Sequence, residues 1–307
     1  MNWNLTDIPP QGGRLAVVTG TGGLGYEEAL ALARAGASVV LAGRNAAKGQ
    51  EALTRICHEV PGADVHFEQL DLASLGSIKA FADRMLAAGR PIDLLIDNAG
   101  ISGNPERGET QDGFELQLGT NYLGHFALTM RLMPLLLMAR APRVVCLSST
   151  AHKVGRINFD DLQSERSYSA VGAYAQSKLA MLMFALELDR RARATGLPLT
   201  SVAAHPGIAR TYLMENSQQG HPLLLFFSRT VMRLFGQSAE AGALPILRAA
   251  TDPAVNGGEF YGPSGFIEAT GAPVAASKSA RAQDEAVQCR LWEESVRLTG
   301  VDLPVAA

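Results

Sequence analysis

Leu15-Ala16-Val17-Val18-Thr19 runs directly into Gly20-Thr21-Gly22-Gly23-Leu24-Gly25, and that in turn into the alanine- and leucine-rich stretch Tyr26 to Ala35. The first piece is a short apolar, β-branched run of the kind that forms a buried strand, and the last has helical character. Between them the glycines supply backbone without Cβ, so that N–H groups at the positive end of the coming helix can approach an anion closely. Gly20, Gly22 and Gly25 satisfy G-x-G-x-x-G. In a strand-turn-helix setting that string points to a dinucleotide pyrophosphate rather than to a tight turn alone. The phosphate cradle is therefore expected from Gly20, Thr21, Gly22, Gly23, Leu24 and Gly25.

Outward from this unit, short β-branched runs keep alternating with longer helical ones, the signature of βαβ units stacked into a parallel sheet with right-handed crossovers. The expected strands are Leu15 to Thr19, Ser38 to Ala42, Val65 to Leu70, Ile92 to Asp97, Arg143 to Ser148, Leu199 to Ala204 and a weaker one at Gly258 to Tyr261. Thr110 to Leu137 is apolar and helix-like until Pro134 interrupts it. The fold class is α/β: a doubly wound, parallel, seven-stranded Rossmann sheet with helices on both faces. One domain is expected over residues 1–307, with a core at 14–262 and a C-terminal helix at about 279–298. An apolar lid is expected at about 212–237, where the run from His221 to Phe235 belongs to no βα unit.

The formal net charge of the 307 residues is -3, with no basic stripe and no acidic tail, so a nucleic-acid partner is not expected. Cys57, Cys146 and Cys289 are odd in number and far apart, which fits reduced packing residues better than disulfides or a metal site. The start of the chain lacks the basic and apolar regions of a signal peptide, and no stretch reaches the roughly 18 apolar residues of a membrane span. A cytoplasmic location is expected.

After the second strand, where a carboxylate would accept the ribose hydroxyls of NAD, the chain reads Leu41-Ala42-Gly43-Arg44. With no acid to repel a 2′-phosphate and a guanidinium able to pair with one, NADP(H) is preferred and NAD(H) is the second choice. Arg44 is otherwise a solvated turn residue. Further on, Tyr174-Ala175-Gln176-Ser177-Lys178 lies in a helical segment, where residues four apart share a face. A cation beside a phenol lowers the pKa of the phenol, which suits it to general acid-base work. His152 and His205 have no carboxylate or nucleophile at a catalytic spacing and read as structural, and no metal site is expected.

By Asp97-Asn98-Ala99-Gly100, Asn121-Tyr122-Leu123-Gly124-His125-Phe126, Ser148-Ser149-Thr150-Ala151-His152, the run from Gly155 to Leu162, the Tyr174/Lys178 pair and His205-Pro206-Gly207, the chain resembles the short-chain dehydrogenase/reductases, in particular their retinol-dehydrogenase-like branch. The resemblance spans roughly Arg14 to Gly262. It implies a catalytic set of Asn121, Ser149, Tyr174 and Lys178: Ser149 and Tyr174 on the substrate oxygen, Lys178 on the nicotinamide ribose and lowering the phenol pKa, and Asn121 anchoring a water relay. It also implies cofactor contacts from Asp71 and Leu72 at the adenine, from Asn98, Ala99 and Gly100 at the ribose, and from Pro206, Gly207, Ile208 and Thr211 around the carboxamide.

The implied reaction interconverts a carbonyl and an alcohol by hydride transfer, and the apolar lid indicates a hydrophobic substrate. Two other readings stay open: a cofactor-binding sensor without turnover, and a carbon–carbon double-bond reductase similar to protochlorophyllide reductase. Relatives of this kind assemble as homodimers or homotetramers through the Tyr174 helix and the long helix before it. One departure stands out. The family loop is T-G-x-x-x-G-x-G, whereas Thr19 to Gly25 is one residue shorter, so the phosphate cradle must be reshaped.

Overall fold

The computed structural model describes residues 2–208 and 237–304. Its sheet contains β1 (Leu15–Thr19), β2 (Ser38–Gly43), β3 (Val65–Gln69), β4 (Leu94–Asp97), β5 (Arg143–Leu147), β6 (Thr200–Ala204), β7 (Phe260–Pro263) and β8 (Pro273–Ala275), in the order β3-β2-β1-β4-β5-β6-β7-β8. Neighbouring strands run parallel from β3 to β7, and only β8 is antiparallel to its neighbour. The expected seven strands are thus corrected to eight. β8 is missed by sequence pattern because it is three residues long, begins with a proline and exposes two of its side chains, leaving no alternation to read.

The central strands β1, β2, β4, β5 and β6 are buried on both faces, which is why they are largely apolar. One face carries Leu15, Val17, Leu95 and Val144 against α3 (Leu75–Ala88), α5 (Gly124–Leu136) and α6 (Ala170–Thr195); the other carries Ala16, Val18, Leu41 and Val145 against α1 (Leu24–Arg34), α2 (Ala46–Glu59) and α7 (Ala239–Thr251). The C-terminal helix α8 (Glu285–Thr299) docks through Trp292, whose ring meets that of Phe126 edge-on at 5.0 Å. It starts later than expected, because Asp284 caps it after a separate 3-10 turn at Arg281–Gln283.

The stretch expected to be helical from Thr110 begins only at α4 (Leu116–Leu118), since Thr110 to Phe114 closes a turn in which Thr110 N donates to Phe114 O at 2.8 Å. A π-helical turn at Gly119–Leu123 then leads into α5, and Pro134 lies inside that helix rather than ending it. Of the expected lid at 212–237, only Gln237 falls within the described residues. No helix among the described residues is long and apolar enough to cross a membrane.

Glu28 is an exception in the apolar face of α1. It is fully buried, neither carboxylate oxygen has a partner among the described residues, and burial pushes its pKa up to about 8. Because the folded pKa lies above the unfolded one, the cost of ionising Glu28 grows as pH rises from the ordinary carboxylate range to about 8. Glu28→Met is expected to stabilise the protein by about 2–4 kcal/mol at pH 8 and by much less at pH 5. Urea unfolding at the two pH values measures this, and an equal gain at both would count against a buried, strained carboxyl.

Candidate active site

The strand order reverses between β1 and β4, and the crevice beyond the carboxyl ends of such strands is where ligands bind in open α/β sheets. A cavity of about 810 Å³ opens there. Its floor is Gly20, Thr21, Gly22, Gly23 and Leu24 together with Asn98, Ala99 and Gly100, and its far wall is Pro206, Gly207 and Ile208. Ser149, Tyr174 and Lys178 line the same space.

The shortened glycine loop closes on itself by close backbone approach. A Cβ on Gly25 would lie 2.3 Å from Gly20 O, so no other residue fits there, and Gly23 takes φ 54°, ψ -122° before α1 begins at Leu24. Gly22 has no neighbouring atom where its Cβ would be, which leaves its backbone open to the cavity. Asn98 Nδ2 donates to Thr19 O at 2.7 Å and pins the loop to β4.

Below the loop runs a buried polar chain. The Thr19 hydroxyl accepts from the amides of Asn98 and Ala99, each at 2.9 Å, and contacts His125 Nε2 at 2.9 Å, while His125 Nδ1 lies 2.8 Å from Asn121 O. A carbonyl only accepts, so Nδ1 carries the proton and Nε2 accepts from Thr19. Burial pushes the pKa of His125 down to about 3, which keeps the ring neutral and this tautomer fixed. The side chain of Asn121 is also fully engaged: Nδ2 donates to Ile101 O and Ser177 Oγ, each at 2.9 Å, and Oδ1 accepts from Ile101 N at 2.7 Å. Asn121 therefore stands behind Gly100 rather than in the cavity wall, holding the loop after β4 against α6.

Ser149 caps the 3-10 turn Thr150–Lys153 at the end of β5, its Oγ accepting from Ala151 N at 3.2 Å, and lines the groove together with Tyr174. Lys178 is buried one helical turn along α6, with Nζ donating to Leu147 O at 3.1 Å and lying 5.9 Å from the Tyr174 ring centroid. Here the structure departs from expectation. Burial pushes the Tyr174 phenol up, which the nearby Ser149 hydroxyl only partly offsets; burial likewise pushes the Lys178 ammonium down to about 8. For both groups desolvation is the larger cause.

Four expected cofactor residues among the described ones lie outside the cavity lining, the first being Gly25, which packs against Gly20 O. Arg44 is exposed beyond β2, while Asp71 and Leu72 sit in the turn before α3, where Asp71 Oδ1 accepts from Ala73 N at 3.0 Å. Thr211 falls outside the described residues. In their place α2 offers Lys48, Glu51, Ala52 and Arg55, which the sequence reading missed. Their spacing of i, i+3, i+4 and i+7 marks one helix face and was the available signal. His152 and His205 are buried and pack on the Phe260 ring, with centroids 5.3 and 5.1 Å away.

The groove fits a dinucleotide: open glycine backbone at a helix N-terminus and two cations from α2 suit a diphosphate, and the Lys178 amine has donors to spare. The sheet order and this groove define the class, an α/β dinucleotide-binding oxidoreductase. Comparison with known proteins agrees. The sequence model of the short chain dehydrogenase family matches residues 14–222. Mouse polyprenol dehydrogenase is 41% identical over 95% of this chain and 86% of its own length, and human retinol dehydrogenase 13 is 39% identical over 95% and 86%. A crystal structure of an uncharacterised protein from Mycobacterium paratuberculosis superposes with a TM-score of 0.82 at 38% identity, covering 99% of this chain and 100% of that one. A short chain dehydrogenase from Escherichia coli CFT073, complexed with NADPH, superposes with a TM-score of 0.59 at 25% identity, covering 82% and 96%. The chain belongs to the short-chain dehydrogenase family, on its retinol-dehydrogenase-like side, and is an oxidoreductase of alcohol and carbonyl groups.

The depressed pKa of Lys178 carries a stability cost. Since its folded pKa lies below the unfolded one, the wild-type protein gains stability as pH rises from about 8 toward the ordinary lysine range. Lys178→Met is expected to be more stable than wild type by about 1–3 kcal/mol at pH 7, with the advantage shrinking above pH 8. Thermal unfolding across that range checks both the sign and the trend.

Proposed function

We propose that the protein is an NADP(H)-dependent oxidoreductase that interconverts an aldehyde or ketone and the matching alcohol on a hydrophobic substrate. The observation that carries this reading is the convergence of Ser149, Tyr174 and Lys178 on the glycine-lined groove. When bound, the nicotinamide cofactor supplies or accepts the hydride. The rest is the work of the chain. Ser149 and Tyr174 each offer a hydroxyl to the substrate oxygen, two donors aimed at the atom on which negative charge builds. Tyr174 gives its proton to that oxygen in reduction and takes it back in oxidation. The phenol raised by burial favours the protonated, donating form, which suits carbonyl reduction. Lys178 holds ribose hydroxyls and presents positive charge beneath the phenol. Asn121, with its side chain fully engaged, fixes the frame around Lys178 through Ser177 and Ile101 instead of facing the water relay expected of it.

Preference for NADP(H) is supported by the missing acid at the end of β2, by Arg44 just beyond it, and by Lys48 and Arg55 in the groove wall. A hydrophobic substrate is supported by two independent features. Ala170, Val171 and Ile208 line the mouth of the groove, and the relatives named above are called dehydrogenases of polyprenol and retinol, both long apolar alcohols. A homodimer or homotetramer through α5 and α6 belongs to the same proposal and is checked by light scattering.

The test is a screen of NADPH oxidation over hydrophobic aldehydes and ketones, run beside Tyr174→Phe. Wild type should turn over, and Tyr174→Phe should lose about 10²- to 10⁴-fold in kcat while its affinity for NADPH, read by calorimetry, stays within about threefold. Consumption of only carbon–carbon double bonds would replace the reaction assigned here. NADPH should bind about tenfold or more tightly than NADH, a gap that the double substitution Arg44→Ala/Lys48→Ala narrows. Equal affinity for the two cofactors would refute the assignment of NADP(H).

A further inference from the structure

Beside the groove lies a cluster that the reaction scheme leaves idle. Glu268 sits in the turn between β7 and β8, and its carboxylate meets three elements at once. Oε2 accepts from Lys153 Nζ at 2.8 Å and lies 3.2 Å from His205 Nε2, while Oε1 accepts from Ser277 Oγ at 3.0 Å. Lys153 ends the 3-10 turn that Ser149 begins. His205 Nδ1 accepts from Gly207 N at 3.2 Å, so in the neutral ring Nε2 carries the proton; it lies beside the Glu268 carboxylate without making a hydrogen bond among the described residues.

The backbone next to Glu268 reaches the other wall of the groove. Ala269 O accepts from Ile208 N at 2.8 Å. Gly207 stands at φ +65° so close to that carbonyl that a Cβ on it would lie 2.3 Å away, and the contact therefore has no slack. Gln237 braces the same loop from the side, with Nε2 donating to Pro206 O at 2.7 Å and its backbone N to Ile208 O at 2.9 Å.

The turn itself is strained. Ile267 and Glu268 both lie in the left-handed region, at φ 50° and 58°, which non-glycine residues avoid and β-branched ones avoid most. Burial does not offset the strain, because Phe266 and Ile267 are 89% and 65% exposed. Among the described residues, the inward side-chain contacts of these three are those of Glu268. Such strain persists only where the surroundings over-determine it, and it clusters at working sites.

We propose that Glu268 is a positioning residue that ties the Ser149 turn to the Pro206–Ile208 loop, so that the wall holding the substrate oxygen and the wall facing the nicotinamide keep one fixed separation. This rests on the proposed reading of the groove as a nicotinamide site. Hydride and proton must reach one carbon–oxygen bond from the two walls, and a misplacement of about 1 Å is enough to slow such chemistry severely.

The experiment compares wild type with Glu268→Ala, Glu268→Gln and Lys153→Met. In the ligand-free proteins, amide exchange in segments 149–154 and 205–208 should be about tenfold faster in Glu268→Ala than in wild type, with the sheet unchanged. Glu268→Ala should also weaken NADPH binding by about tenfold in calorimetry, and it should lower kcat on the best carbonyl by a factor that Lys153→Met does not increase when the two are combined. Glu268→Gln, which keeps length and hydrogen bonding, should recover part of both losses. Exchange that is unchanged in the two segments, or that quickens evenly through the whole chain, overturns the proposal. A wild type that fails to bind NADPH overturns the cofactor reading instead, and the exchange comparison then still decides whether Glu268 joins the walls.

Discussion

The hydroxyl of Thr19 is the joint on which the site is assembled. It sits at the end of β1, accepts from the amides that follow β4, and donates to His125 Nε2, while His125 Nδ1 donates to the carbonyl of Asn121. One fully buried chain of hydrogen bonds therefore registers the start of the glycine loop, the Asn98–Gly100 segment and the π-helical turn against one another. The neutral imidazole is essential to this arrangement. A protonated ring would have no acceptor to offer Thr19, and burial makes protonation unfavourable. The π turn matters for the same reason, since an extra residue in a helical turn displaces a carbonyl from the regular ladder, a device often found at functional sites.

On this frame, the Tyr174/Lys178 pair lives under a conflict between solvation and charge. The groove is closed enough that the phenol holds its proton more tightly and the ammonium holds its proton less tightly than either would in water. A buried lysine without a carboxylate partner is a cost to folding that apolar packing would avoid. It is retained where it lines the groove, so its place answers to the site rather than to packing. Stability given up at a ligand site is a common trade for activity, and Glu268 with its left-handed turn looks like a second instance a few residues from the same cavity.

Much of this architecture was legible in the chain, because the signals were long and repeated. Seven strands were legible as short β-branched runs between helical ones, the last of them weakly, and the glycine loop was placed by its strand and helix neighbours. The eighth strand was not legible: three residues led by Pro273 carry no period. The late start of α4 was hidden because the apolar content of Thr110 to Leu118 is the same whether the chain turns or coils, and only the Thr110 to Phe114 hydrogen bond distinguishes the two. At the site, Ser149, Tyr174 and Lys178 line one groove; spacing put Tyr174 and Lys178 on one helix face, and the resemblance brought Ser149 to them. The raised Tyr174 phenol was not legible, because sequence reveals that a cation is near but not how far water is excluded. Lys48 and Arg55 lie one to three turns beyond the end of β2, where the face of α2 rather than a motif brings them to the groove.

The eighth strand also bears on how the molecule meets other copies of itself. A parallel sheet has two open borders, and each is an invitation for a foreign segment to add on by main-chain pairing. Along one border lies β8, whose leading proline has no N–H to give and whose length leaves room for very few rungs. Along the other, β3 alternates His66 and Glu68 with its apolar residues, and Glu68 is held by Arg84 at 2.9 Å. Both rims are thus poor templates for fibrous growth.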